Sequence, residues 1–186
     1  MRKIIFQIML SLDGFYEGPK GELDWHLVDE EFNAYVHEIF SSLDGEIMGR
    51  KTYETMAAFW PTEIALREDP VTAKWMNSLH KYVVSRTLKT VSWENSSLLQ
   101  GDAEEAIGRL KAQPGKDLGI GGPDLVASLK DPKLIDEYRF LFAPVLLGAG
   151  KTVFQGMRSR LNLELSSTRT FSSGLTGLIY RPVKRG

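Results

Sequence analysis

Short apolar runs alternate with stretches of helical periodicity along most of this 186-residue chain, and that alternation limits the fold more than any other feature. Ile4–Leu10 is nearly continuous apolar sequence rich in branched residues, the pattern of a strand buried on both faces. Glu46–Met48, Lys81–Ser85 and Asp117–Ile120 are shorter runs of the same kind. Between them Val28, Phe32, Tyr35, Val36, Ile39, Phe40 and Leu43 fall on one helical face behind the acidic start Asp29-Glu30-Glu31. Tyr53–Ala58 and Ala103–Gln113 also read as helices, Thr72–Leu79 as a shorter one, and Asp124–Leu129 as one opened by Pro123. Alternation of this kind predicts a mostly parallel sheet between helical layers. Tyr138–Leu147 is a last long apolar run of that series. After it the helices stop, and Leu161–Thr170 and Gly174–Pro182 suit an antiparallel pair at the sheet edge. The expected architecture is α/β, a three-layer α/β/α single domain over residues 1–186.

Ligands of such sheets sit at the carboxyl ends of the strands. Three predicted strand ends carry suggestive turns. Met48 runs into Gly49-Arg50-Lys51-Thr52 and then a helix, so a glycine that permits close approach is followed by a planar cation, a point charge and a hydroxyl at a helix N-terminus. Cations in a first helical turn oppose the helix dipole, which a bound anion would explain. Ser85-Arg86 ends the next strand, and beside Arg50 and Lys51 it suits the 2′-phosphate of NADP rather than the bare ribose of NAD. Gly121-Gly122 at a strand-to-helix junction suits backbone approach to a pyrophosphate or nicotinamide. Ser11-Leu12-Asp13-Gly14 and Gly21-Glu22-Leu23-Asp24-Trp25 read equally as a strand end with a core tryptophan, or as a loop closing over substrate with Trp25 as a wall.

Several classes fall away. Lys+Arg 23 against Asp+Glu 24 leaves no global basic field for nucleic acid. The absence of cysteine removes thiolate metal sites and cysteine nucleophiles, and is compatible with a cytoplasmic protein. No run is long and apolar enough for a signal or a membrane span. Gly148-Ala149-Gly150-Lys151-Thr152 resembles the end of a phosphate-binding loop, but Val145 stands where its first glycine belongs. Gly119-Ile120-Gly121 lacks the third glycine of a dinucleotide fingerprint, with Asp124 in its place. His26, His37 and His80 have no metal-ligand spacing, so no metal is expected.

In order and spacing, Ser11–Gly14, Gly21-Glu22 with Trp25, Met48–Glu54, Val84-Ser85-Arg86, Gly121-Gly122-Pro123 and Pro144–Lys151 resemble the dihydrofolate reductase-like superfamily. Within it they look most like the reductase domain of the bifunctional riboflavin-biosynthesis deaminase-reductase, in free-standing form. The resemblance covers nearly the whole chain. It implies NADPH as hydride donor, with Gly49, Arg50, Lys51 and Thr52 at the adenosine-side phosphates and Ser85 and Arg86 at the 2′-phosphate. It places Gly121, Gly122, Pro123 and Asp124 near the pyrophosphate and nicotinamide, and Leu12, Asp13 and Trp25 on the nicotinamide and substrate side. Asp13 and solvent are the two candidate proton donors. It also implies a small-molecule substrate and a homodimer. The activity so implied is hydride transfer to a C=N or C=O of a small heterocyclic or sugar-derived compound, like that of the 5-amino-6-(5-phosphoribosylamino)uracil reductases. The alternatives are dihydrofolate reduction and a non-catalytic NADPH-binding or sensing role. Two departures bear on the substrate. Asp24 stands where the riboflavin reductases commonly have a lysine, and Asp29, Glu30 and Glu31 are candidate pterin-binding acids.

Overall fold

A computed structural model describes residues 1–157 and 160–183. One sheet of eight strands organises it. β1 (Ile4–Ser11) lies inside, between β6 (Asp117–Gly121) and β7 (Glu137–Ala143). β3 (Leu43–Gly49), β4 (His80–Val84) and β5 (Ser96–Leu99) continue beyond β6, and all six strands run parallel. β10 (Thr176–Pro182) and β9 (Leu163–Thr170) follow β7 antiparallel, as the loss of intervening helices leads one to expect.

The apolar run of β1 is explained by its position, because both its faces are covered. Ile4, Phe6 and Leu10 pack with Ile120, Tyr138 and Phe140 under α5 (Ala103–Ala112) and α6 (Pro123–Ser128). Ile5 and Met9 face the other way, under Tyr35 and Ile39 of α1 (Glu30–Ser41). A third cluster joins Met48 and Val83 to Tyr53 of α2 (Arg50–Phe59), Met76 of α4 (Pro70–Ser78) and Trp93. Among the described residues no helix is long and apolar enough to cross a membrane.

Three features depart from the sequence reading. α3 (Glu63–Glu68) is an additional helix, capped by Thr62. Phe15–Asp24 reads as a loop from its Gly18, Pro19 and Gly21, yet it contains β2 (Phe15–Glu17), which pairs with β8 (Lys151–Thr152) in a separate two-stranded sheet. β7 stops at Ala143, because Pro144 has no N–H for the ladder and Val145 turns its N–H back to the Ala143 carbonyl at 2.8 Å.

Lys81 is fully buried in β4. Its ammonium donates to the last-turn carbonyls of Met76 and Asn77, each at 3.1 Å, and lies 4.2 Å from the centre of the Trp93 ring. It closes the C-terminus of α4 as a dipole-matched cap. Burial pushes its pKa down to about 8, with Glu94 acting the other way. Lys81→Ala leaves those carbonyls unpaired and a void beside Trp93, and is expected to cost roughly 2–3 kcal/mol. Urea unfolding with an unchanged midpoint would refute that capping role.

Candidate active site

Parallel strands put their carboxyl ends on one edge. Gly49 is level with Val84, and Met48 with Gly121. The turns after β4, β3 and β6 are therefore neighbours: Ser85-Arg86, then Gly49–Thr52, then Gly121-Gly122. The end of β1 stands next in line. Three strand spacings of about 4.8 Å make this row about 14 Å long.

The turns leave donors free. α1, α3, α4 and α5 are each capped by their own side chain, from Asp29, Thr62, Asp69 and Asp102. The N-cap of α2 is Gly49, with no side-chain cap, so its first N–H groups face the edge. Gly122 caps α6 without a side chain and at φ 95°, a conformation that glycine alone adopts readily. A methyl there would overlap Thr52 Oγ1 and fall 4.0 Å from Gly49 N, so the two turns touch.

The cations around them are only lightly held. Lys51 Nζ lies 2.9 Å from Asp124 Oδ2, and Arg50 3.3 Å from Glu54 Oε2; both pairs are exposed and contribute little that an anionic ligand could not replace. Ser85 Oγ accepts from the N–H groups of Thr87 and Leu88, which fixes the turn. Arg86 is exposed and has no ion pair among the described residues. Pro123 supplies the first helical position of α6.

On the far side of the row, Asp13 is fully engaged. Its carboxylate accepts from Ser11 Oγ at 2.6 Å, Leu147 N at 3.1 Å and Gly148 N at 2.7 Å. The Ser11 hydroxyl, with the Gly148 and Leu147 amides, holds its pKa below the ordinary carboxylate range despite some desolvation. Such a group is ionised at neutral pH. This suits a clamp between the end of β1 and the β7–β8 loop better than the proton donor expected from sequence. Asp13→Asn is expected to speed hydrogen exchange at Leu147 and Gly148 by roughly tenfold; unchanged protection of both amides would remove the clamp.

Leu12 is exposed and donates its N–H to the Val145 carbonyl at 2.9 Å. Trp25 is half-buried against the α1-side cluster and donates Nε1–H to the Glu22 carbonyl at 3.1 Å. That packing fits the core reading of Trp25, and the residue keeps partial exposure. The α1 acids are in use, since Asp29 caps the helix through Phe32 N, while Glu31 accepts from Ser172 N and Oγ, both at 2.8 Å.

Sequence reading passed over Glu46, which it took as the first residue of a strand. Burial pushes its pKa up to about 8. The available signal was an acid at the start of a buried strand end, one residue before Ile47 and so on the opposite face.

Comparison with known proteins identifies the family and the fold. A family model of the RibD C-terminal domain matches residues 2–176. YyaP of Bacillus subtilis is 36% identical over 185 residues, covering 96% of this chain and 94% of YyaP. A putative riboflavin biosynthesis protein from Shewanella sp. PV-4 superposes with TM-score 0.75 at 26% identity, over 99% of this chain and 100% of that one. Dihydrofolate reductase from Enterococcus faecalis, solved with NADP(H), superposes with TM-score 0.63 at 14% identity, over 98% and 97% of the two chains, a likeness of fold alone. The architecture is that of the dihydrofolate reductase-like α/β proteins. The chain belongs to the RibD C-terminal domain family.

Proposed function

We propose that this protein is an NADPH-dependent reductase of a small heterocyclic or sugar-derived compound, acting on a C=N or C=O bond. The observation that carries the reading is the contact between the uncapped turn at Gly49 and the turn at Gly122, with unpaired Arg86 one strand further along the edge. That row suits an extended dinucleotide with an extra phosphate at one end. When bound, the cofactor supplies the hydride. The chain's own part is to bind and to orient. The α2 N–H groups and the Thr52 hydroxyl hold phosphate oxygens, and Lys51 exchanges Asp124 for them. Arg86 and Arg50 fork onto the 2′-phosphate. Gly121 and Gly122 let the ligand lie against backbone, and Leu12 and Trp25 border the substrate side.

Family membership supports reduction in the manner of the riboflavin-pathway enzymes. The exposed acid Asp24, facing no cation among the described residues, disfavours a substrate phosphate near Trp25. Engagement of Asp29 and Glu31 leaves the first turn of α1 with only Glu30 to offer a pterin, which weighs against folate reduction. A homodimer in the cytoplasm belongs to the same reading. The test is a screen of ribosylaminopyrimidines and pterins, with and without phosphate, for loss of nicotinamide absorbance. Turnover of a phosphate-free compound is expected. Stoichiometric NADPH binding with no turnover across the panel would replace the enzyme by a sensor.

A further inference from the structure

Glu46 sits in the middle of the sheet, on the face that α1 and α4 cover. Its neighbours on β6 are glycines. A methyl on Gly119 would overlap Glu46 Oε2, and one on Gly121 would fall 2.8 Å from Oε1. The carboxyl group therefore lies flat on the β6 backbone and reaches the residue before Gly122, at the inner end of the cofactor row. It has no hydrogen-bond partner among the described residues, and the residue keeps partial exposure. Solvent therefore still reaches this side chain at the inner end of the row. A carboxyl that no protein group pairs is open to a ligand's hydrogen bonds.

Among the described residues nothing charged nearby answers it. Lys81, its register partner on β4, turns its ammonium to α4. Asp44, two residues back, holds Arg2. On β1 the neighbouring polar group is Gln7, taken by the Tyr35 hydroxyl of α1 at 3.2 Å. Beyond it Arg139 of β7 is paired with Glu137. Desolvation alone raises the Glu46 pKa, so its proton is retained at neutral pH. A protonated carboxyl offers one donor and one acceptor on one edge.

We propose that Glu46 is the substrate-facing acid of this site, binding the donor–acceptor edge of a nitrogen heterocycle and supplying the proton of the reduction. The inference rests on the reductase reading. In the step, a C=N carbon accepts the hydride from reduced nicotinamide, which leaves oxidised. The C=N electron pair moves to nitrogen and takes the proton from Glu46, and the carboxylate regains one from solvent. The sequence leaves that proton to Asp13 or to solvent, and the geometry ties Asp13 into a clamp.

The probe is isocytosine, a neutral pyrimidine with such an edge, followed by NMR of protein carrying ¹³C-carboxyl glutamate and saturated with NADPH. One glutamate resonance should titrate near pH 8 in the unliganded protein, vanish in Glu46→Gln, and shift on adding isocytosine. Glu46→Gln should bind isocytosine at least tenfold more weakly and NADPH within twofold of wild type. Glu46→Asp, followed with ¹³C-carboxyl aspartate in place of the glutamate label, keeps a carboxyl but shortens its reach, and should show one raised titration while losing the isocytosine response. An ordinary glutamate titration at every position, no isocytosine response in wild type, or equal binding to wild type and Glu46→Gln would each overturn the proposal. Failure of NADPH to bind wild type would instead overturn the reductase reading, and with it the step.

Discussion

Gly122→Ala is expected to abolish measurable NADPH binding and to destabilise the protein by about 2–4 kcal/mol. Two effects add. The backbone at φ 95° and ψ 107° is strained for any residue with a Cβ, and the new methyl would overlap Thr52 Oγ1. Relief requires the β6–α6 turn to separate from the start of α2, which opens the row that the cofactor is proposed to bridge. Gly121→Ala is the matched control. No left-handed φ is needed there, and its methyl comes 2.8 Å from the end of the flexible Glu46 side chain and no nearer than 4.0 Å to backbone. It should cost less stability than Gly122→Ala. Urea unfolding and calorimetric titration of both variants check this. Wild-type NADPH affinity in Gly122→Ala would contradict the site.

Arg86→Ala is expected to weaken NADPH binding by roughly 10–100-fold while leaving NADH within about threefold, since a charge-assisted pair to a phosphate is worth about 1.5–3 kcal/mol. Arg50→Ala should move in the same direction. Its effect should be smaller, because Arg50 already shares its charge with Glu54 across one helical turn. Titration of each variant with both nucleotides separates the readings. Equal losses for NADPH and NADH would assign the arginines to the shared phosphates and remove the 2′-phosphate role.

Much of this arrangement was legible in the residues themselves. β1 was visible because burial on both faces leaves no room for polar alternation, and the β9–β10 edge because nothing helical separates its strands. The turns at Gly49, Ser85 and Gly121 could each be read as a strand end. What sequence could not supply was their order along the edge, which depends on β6 inserting between β3 and β1. Asp13 looked like a free acid because the amides that engage it, at Leu147 and Gly148, are distant in sequence. The early end of β7 follows from Pro144, a local signal that the long apolar run hid. Glu46 escaped notice for the opposite reason: its environment is defined by side chains missing from Gly119 and Gly121 on a strand far along the chain.

The central claim is that the edge formed by Ser85-Arg86, Gly49–Thr52 and Gly121-Gly122 is an NADPH site. Calorimetric titration of the purified protein with NADPH and with NADH tests it most directly. The expected result is one site per chain, with NADPH bound at least tenfold more tightly than NADH. Failure to bind either nucleotide would make the row scaffold and contradict the account.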